Sequence, residues 1–111
     1  MVSAVYKSDL KIDLKIAIEV VQQRIAFQNG NSYLNLVDAR QVKSATKEAR
    51  DYLAKHDEGI IASAIIGKSA ISNMIINMFI TFSKPAVPVK AFQDKENALR
   101  WLNQFHKEKV I

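Results

Sequence analysis

The stretch from Gly59 to Phe92 constrains the fold of this chain more than any other. An apolar run, Ile60 to Ile66, leads through Gly67-Lys68-Ser69 into a segment with no charged residue, Ser69 to Ser83. Pro85 and Pro88 then forbid a helix to continue, and a second apolar run, Val87 to Phe92, follows. Strand, helix, strand in that order is the pattern of a right-handed crossover between parallel strands, so an α/β fold is expected.

The flanking sequence extends the same alternation. Val2, Ala4 and Tyr6, then Leu10, Ile12 and Leu14, keep a period of two and predict a short N-terminal strand or two fragments of one. From Asp13, a capping residue, the period turns helical, with Leu14, Ala17, Ile18, Val21, Ile25 and Phe27 near one face until Asn29-Gly30-Asn31. Tyr33, Leu34, Leu36 and Val37 read as a strand covered on both faces. Thr46 caps a second helix with Ala49, Tyr52 and Leu53 inward, His56 in its last turn and Gly59 beyond it. Asp94 caps the last helix, whose stripe is Ala98, Trp101, Leu102 and Phe105. The expected order is β-α-β-α-β-α-β-α, with Leu36, Ile65, Ile75, Phe79, Val89 and Trp101 in the core. A length of 111 residues suits one domain, 1–111.

Composition narrows the function classes. Cysteine is absent, which excludes disulfides, a thiol nucleophile and thiolate metal sites, and suits a reducing compartment. The first residues lack the basic start and apolar core of a signal peptide, so a cytoplasmic location is expected. The charge-free segment falls short of the roughly 20 residues that span a bilayer, and Lys68 and Lys84 bracket it, so no transmembrane segment is expected. Sixteen basic against eleven acidic residues give a net charge of +5 and raise the question of nucleic acid. The basic residues are scattered, however, and Phe79, Phe82, Trp101 and Phe105 fall on helical faces rather than on a stacking platform, which argues against it. His56 and His106 have no ligand partner at helical spacing, so neither a metal nor another cofactor is expected.

A set of segments resembles a known family. Leu36-Val37-Asp38-Ala39-Arg40, Thr46-Lys47-Glu48-Ala49-Arg50, Ser72-Asn73-Met74-Ile75-Ile76-Asn77-Met78-Phe79, Lys84-Pro85-Ala86-Val87-Pro88 and Ala98-Leu99-Arg100-Trp101-Leu102 look, in that order, like the SpoIIAA-like branch of the STAS domains. The similarity runs from about Ile18 to Phe105. It implies an α/β domain with a mixed, mostly parallel sheet of about four strands and four helices, often compared with lipid-binding Sec14-like folds, in a bacterial family whose members mostly lack an assigned activity. Regulatory members carry a phosphorylated serine in an Asp-Ser-Ser-Gly-like segment at the start of the second helix. Here that stretch reads Thr46-Lys47-Glu48-Ala49, so the phosphoswitch does not carry over; Ser44 and Thr46 are the nearby hydroxyls, and Thr46 reads as a helix cap. Relatives also begin with a longer strand pair, so a short or open sheet edge is expected.

Two candidate sites follow. Asp38 and Arg40 end one strand, Lys68 and Ser69 follow the next, and Gln93 and Asp94 follow the third, so parallel strands would gather them at the sheet edge where α/β folds bind ligands. Gly67-Lys68-Ser69 resembles the end of a phosphate loop, but the position of the earlier glycine is Ala62, which argues against nucleotide hydrolysis and leaves only a simple anion on the helix start. The structural alternative is a local Asp38-Arg40 ion pair or backbone anchor, an ordinary helix start at Ser69 and a helix cap at Asp94. The second candidate is the charge-free helix, where Ile71, Met74, Ile75, Met78, Phe79 and Phe82 leave a narrow polar stripe and suit core packing, a subunit interface or an apolar pocket. No nucleophile with its base and no acid pair can be nominated. The sequence therefore points to a non-catalytic STAS-like binding or regulatory module, a homodimer or one that meets another protein. The alternative is a carrier or sensor of a small apolar or anionic, lipid-like ligand.

Overall fold

The structure, a computed structural model, describes residues 2–5 and 10–109. Tyr6 and the side chains of Val2, Ala4 and His106 lie outside the described residues. The chain runs through β1 (Val2–Val5), β2 (Leu10–Ile12), α1 (Leu14–Gln28), β3 (Tyr33–Asp38), β4 (Val42–Ala45), α2 (Lys47–Lys55), β5 (Ile60–Ile66), α3 (Ala70–Met78), a π-helical turn (Phe79–Ser83), β6 (Val89–Phe92) and α4 (Lys95–Lys109). The main sheet has the order β1-β3-β5-β6, and every pairing in it is parallel rather than mixed. β1 is a short edge strand of four residues, as the sequence leads one to expect.

Successive strands of this sheet step in one direction. Right-handed crossovers taken in one direction put their helices on one face, so α1, α2 and α3 share a face and α4, which follows the last strand, takes the other. The two faces are packed differently. On the α4 side, Leu34, Leu36, Ala62, Ala64 and Ile66 close on Ala98 and Leu102 into a core, with the rings of Phe92, Trp101 and Phe105 in tilted and edge-to-face contact along it. On the other side, α1 lies mainly against α2, and α3 mainly against β4, so these helices touch each other more than they touch the central strands.

The element that spaces them is a second sheet, the parallel pair β2 and β4. β4 is absent from the sequence reading, because Val42-Lys43-Ser44-Ala45 is too short and too polar to announce a strand. Its pairing explains why the N-terminal alternation splits: β1 joins β3 in the main sheet, whereas β2 joins β4, and the Thr46 amide donates to the Ile12 carbonyl at 3.0 Å. Ile12, Ala17, Ala39, Val42, Ala49 and Ile76 form a second core cluster around this ribbon.

Local signals place the helix ends. Asp13, Thr46 and Ser69 accept from the amides of Ile16, Ala49 and Ser72, and Asp94 from that of Asn97 at 2.8 Å. Asn29 stops α1 in a left-handed conformation. The expected face of α1 is only partly correct: Ala17 and Val21 are buried, but Leu14, Ile25 and Phe27 are exposed, because α1 packs on α2 rather than on the sheet.

Gly59 carries the turn into β5. Its φ is +77°, and a Cβ there would come within 2.8 Å of Gln28 Oε1, whose side-chain amide donates to the Gly59 carbonyl at 3.2 Å. Gly59→Ala should therefore destabilise the fold by about 1 to 3 kcal/mol in a denaturant titration.

A candidate ligand cavity under three helices

The space left between α1, α2, α3 and the main sheet is a cavity of about 540 Å³. This lies within the roughly 300 to 1,000 Å³ of small-molecule sites. Strand alternation decides what faces it. Leu34 and Leu36 point to α4, so Asn35 and Val37 point the other way; Ser63 and Ile65 follow the same rule in β5, as does Val89 in β6. A register shift between Tyr33 and Asn35 puts both Ile61 and Ala62 on the α4 side and returns Ser63 to the cavity. Ile75, Ile76 and Phe79 line it from α3 and the π-helical turn, Leu53 from α2, and Val20 and Phe27 from α1.

Of the expected core residues, Leu36 is fully buried, and Trp101 is half-buried against the α4 core. Ile65, Ile75, Phe79 and Val89 are half-buried cavity walls instead. Their apolar character is a property of the lining, which a sequence pattern does not distinguish from that of a filled core.

Besides Ser3 and Gln23, the polar residues of the lining form three sets. Asn35 Nδ2 donates to Ser63 Oγ at 3.1 Å in the middle of the sheet face. Arg24 Nη2 donates to the His56 carbonyl at 2.7 Å, and Asp57, next in the chain, has its Oδ2 buried without a hydrogen-bond partner among the described residues. Arg50, on α2, is buried, with 9% of its surface exposed, and its Nε donates to the Thr46 carbonyl at 3.4 Å. None of these residues is in the candidate sites read from the sequence. The available signals were Asn35 and Ser63 interrupting apolar strands on one face, and Arg50 lying between Ala49 and Leu53 on the inward side of α2.

The strand-end candidates do gather as the parallel register requires, since Asp38, Ile66 and Phe92 stand in one row. Their polar groups are occupied locally. Arg40 Nη2 lies 2.6 Å from Asp38 Oδ2, and its Nε donates to Oδ1 at 2.9 Å, which holds the Asp38 carboxyl below its ordinary range. The amides of Lys68 and Ser69 both donate to Ser72 Oγ at 3.1 Å, so the fully buried Ser72 hydroxyl sits where an anion on this helix start would sit. A Cβ on Gly67 would come within 2.6 Å of Asn73 Oδ1 and of Ile76 Cδ1, so the same turn has no room to spread. Asp94 accepts from the amide and the side chain of Asn97, whose hydrogen bonds lower its pKa, and borders a separate polar cleft with Asn73, Asn77 and Gln93.

The charge-free helix divides between two roles. Ile75 and Phe79 face the cavity, Met78 is half-buried, and Ile71, Met74 and Phe82 are 46%, 55% and 73% exposed. Truncation should separate cavity wall from packed core. Phe79→Ala should cost less than the roughly 3 to 5 kcal/mol of a dry aromatic site, near 1 to 2 kcal/mol, while Leu102→Ala in the α4 core costs about 2 to 5 kcal/mol. Denaturant midpoints of the two variants check the order.

Comparison with known proteins agrees with the architecture. No curated protein matches the chain. Among solved structures, it is similar to an uncharacterized protein of the DUF3478 family from Shewanella loihica PV-4, described as having a SpoIIAA-like fold. The TM-score is 0.59 at 18% identity, over 91% of this chain and 79% of that one. That likeness concerns the fold, which is SpoIIAA-like as the sequence segments imply. The family model described as a domain of unknown function, DUF7793, matches residues 1–106, and the chain belongs to that family.

Proposed function

We propose that this protein is a non-catalytic binding module that carries or senses a small, largely apolar molecule in the cavity between its main sheet and α1, α2 and α3. The observation that supports this reading is the cavity itself, about 540 Å³ and walled by Val37, Ile65, Ile75, Phe79 and Val89. Apolar side chains around a space of that size lose dispersion contacts that a ligand would restore. A cytoplasmic setting belongs to the same reading, and no described helix is long and apolar enough to cross a membrane. Native mass spectrometry of protein purified from cells should reveal a bound small molecule. Val89→Phe, which projects a ring into the cavity, should abolish that adduct while the melting temperature holds or rises. A wild-type protein that carries no adduct and takes up no apolar probe would defeat the reading.

A second reading, self-association, is favoured by the outward stripe of α3. Ile71 and Met74 sit on successive turns, and Phe82 extends the exposed apolar surface past the π-helical turn. A two-fold contact would cover such a patch with its own copy, burying on the order of 1,200 Å² or more in total. Sedimentation should then report a dimer at tens of micromolar, roughly the range for an interface of modest affinity. Met74→Glu should give folded monomers. A monomeric wild type would remove this reading and leave the cavity reading intact.

A further inference from the structure

We infer that the occupant of this cavity is an amphipathic monoanion, a carboxylate head on an apolar body, and that Arg50 holds the head. The inference rests on the cavity reading and adds to it the charge of the ligand and the residue that selects it.

Arg50 stands on the cavity side of α2. The residue is about nine-tenths buried and lines the cavity. Its Nε uses one donor on the Thr46 carbonyl at 3.4 Å. Among the described residues no carboxylate lies within ion-pair distance of it. The acids next to it on α2 do not serve: Asp51 takes the Lys47 ammonium at 2.8 Å and the Ser83 hydroxyl at 3.0 Å, and Glu48 is exposed at the start of the helix. A largely buried arginine with no carboxylate partner among the described residues favours an anion that reaches it from the cavity.

The remaining donors specify the partner. With Nε turned to a backbone carbonyl, the two Nη groups present a planar end-on fork, which matches the two oxygens of one carboxylate. Ile65, Ile75, Phe79 and Val89 offer the wall for an apolar body.

The test is calorimetric titration of the full chain, freed of co-purified molecules, at neutral pH with decanoate, decanol and decylamine. Decanoate should bind about 10- to 100-fold more tightly than decanol, and decylamine more weakly than either. Arg50→Gln should bring decanoate down to the level of decanol and leave decanol unchanged. If decanoate and decanol bind the wild type alike, or if Arg50→Gln leaves their gap in place, the inference is overturned while the cavity reading stands. If none of the three binds, both fall together. Should Arg50→Gln fail to fold by circular dichroism, nitrogen NMR of the wild-type arginine side chains decides. A shift of the Arg50 resonance with decanoate and not with decanol supports the pairing, and its absence refutes it.

Discussion

The constraint on which the rest depends is the order of the main sheet, in which each strand pairs in parallel with the next one to join it. Three crossovers of one hand then place three helices on one face, and only α4 remains for the other. One helix can lie flat on the centre of a small twisted sheet. Three helices cannot all do so, and here the ribbon of β2 and β4 stands among them, so they pack on one another and on the ribbon. The close-packed α4 core and the cavity on the opposite face follow from the same topology.

This arrangement explains why residues of similar hydrophobicity have different fates. Leu36 and Val37 are neighbours in β3, yet the first is sealed under α4 and the second walls the cavity. Asn35 and Ser63 occupy the centre of the sheet, where a polar side chain facing a packed helix would lose hydrogen bonds to water without return. Facing the cavity, they satisfy one another at 3.1 Å and leave further capacity toward its interior.

Local chemistry was legible in the sequence where short-range rules act. The caps Asp13, Thr46, Ser69 and Asp94, the αL stop at Asn29 and the stripe of α4 all depend on contacts within a few residues, and each is found where its pattern predicts. β3, β5 and β6 were legible because their apolar runs are bounded by turn residues. β4 was not, since Val42 to Ala45 becomes a strand only through β2, some thirty residues earlier in the chain. The cavity was not legible for a different reason: absent volume leaves no mark on periodicity, and Ile75 or Phe79 would read identically against a filled core. The charged groups gathered at the strand ends were legible as a cluster, and the structure adds how they pair: Asp38 with Arg40, and Ser72 with the amides of Lys68 and Ser69.

A cavity wall that lacks packing on its inner side must be held by other bonds, and directional polar bonds of this fold tie the helices around the cavity to their neighbours. The π-helical turn widens α3 as it reaches the cavity, and Phe79 begins it. Lys84, in a left-handed conformation with φ of 49°, then turns the chain toward Pro85, which lines the same space. Ser83 Oγ donates to Asp51 Oδ1 at 3.0 Å, and Lys47 holds the other oxygen of that carboxylate, so the end of the turn is tied to α2 by directional bonds rather than by apolar contact. Beyond the end of α2, Gln28 and Arg24 of α1 bind the carbonyls of Gly59 and His56. α2 is thus tied at its start by the Thr46 amide to the Ile12 carbonyl, at its centre by Asp51 to Ser83 and past its end by the His56 carbonyl to Arg24, while Arg50 and Leu53 line the open space. Apolar packing alone would draw α2 down onto Ile65 and close that space; these tethers oppose it, and with it the loss of the volume available to a ligand.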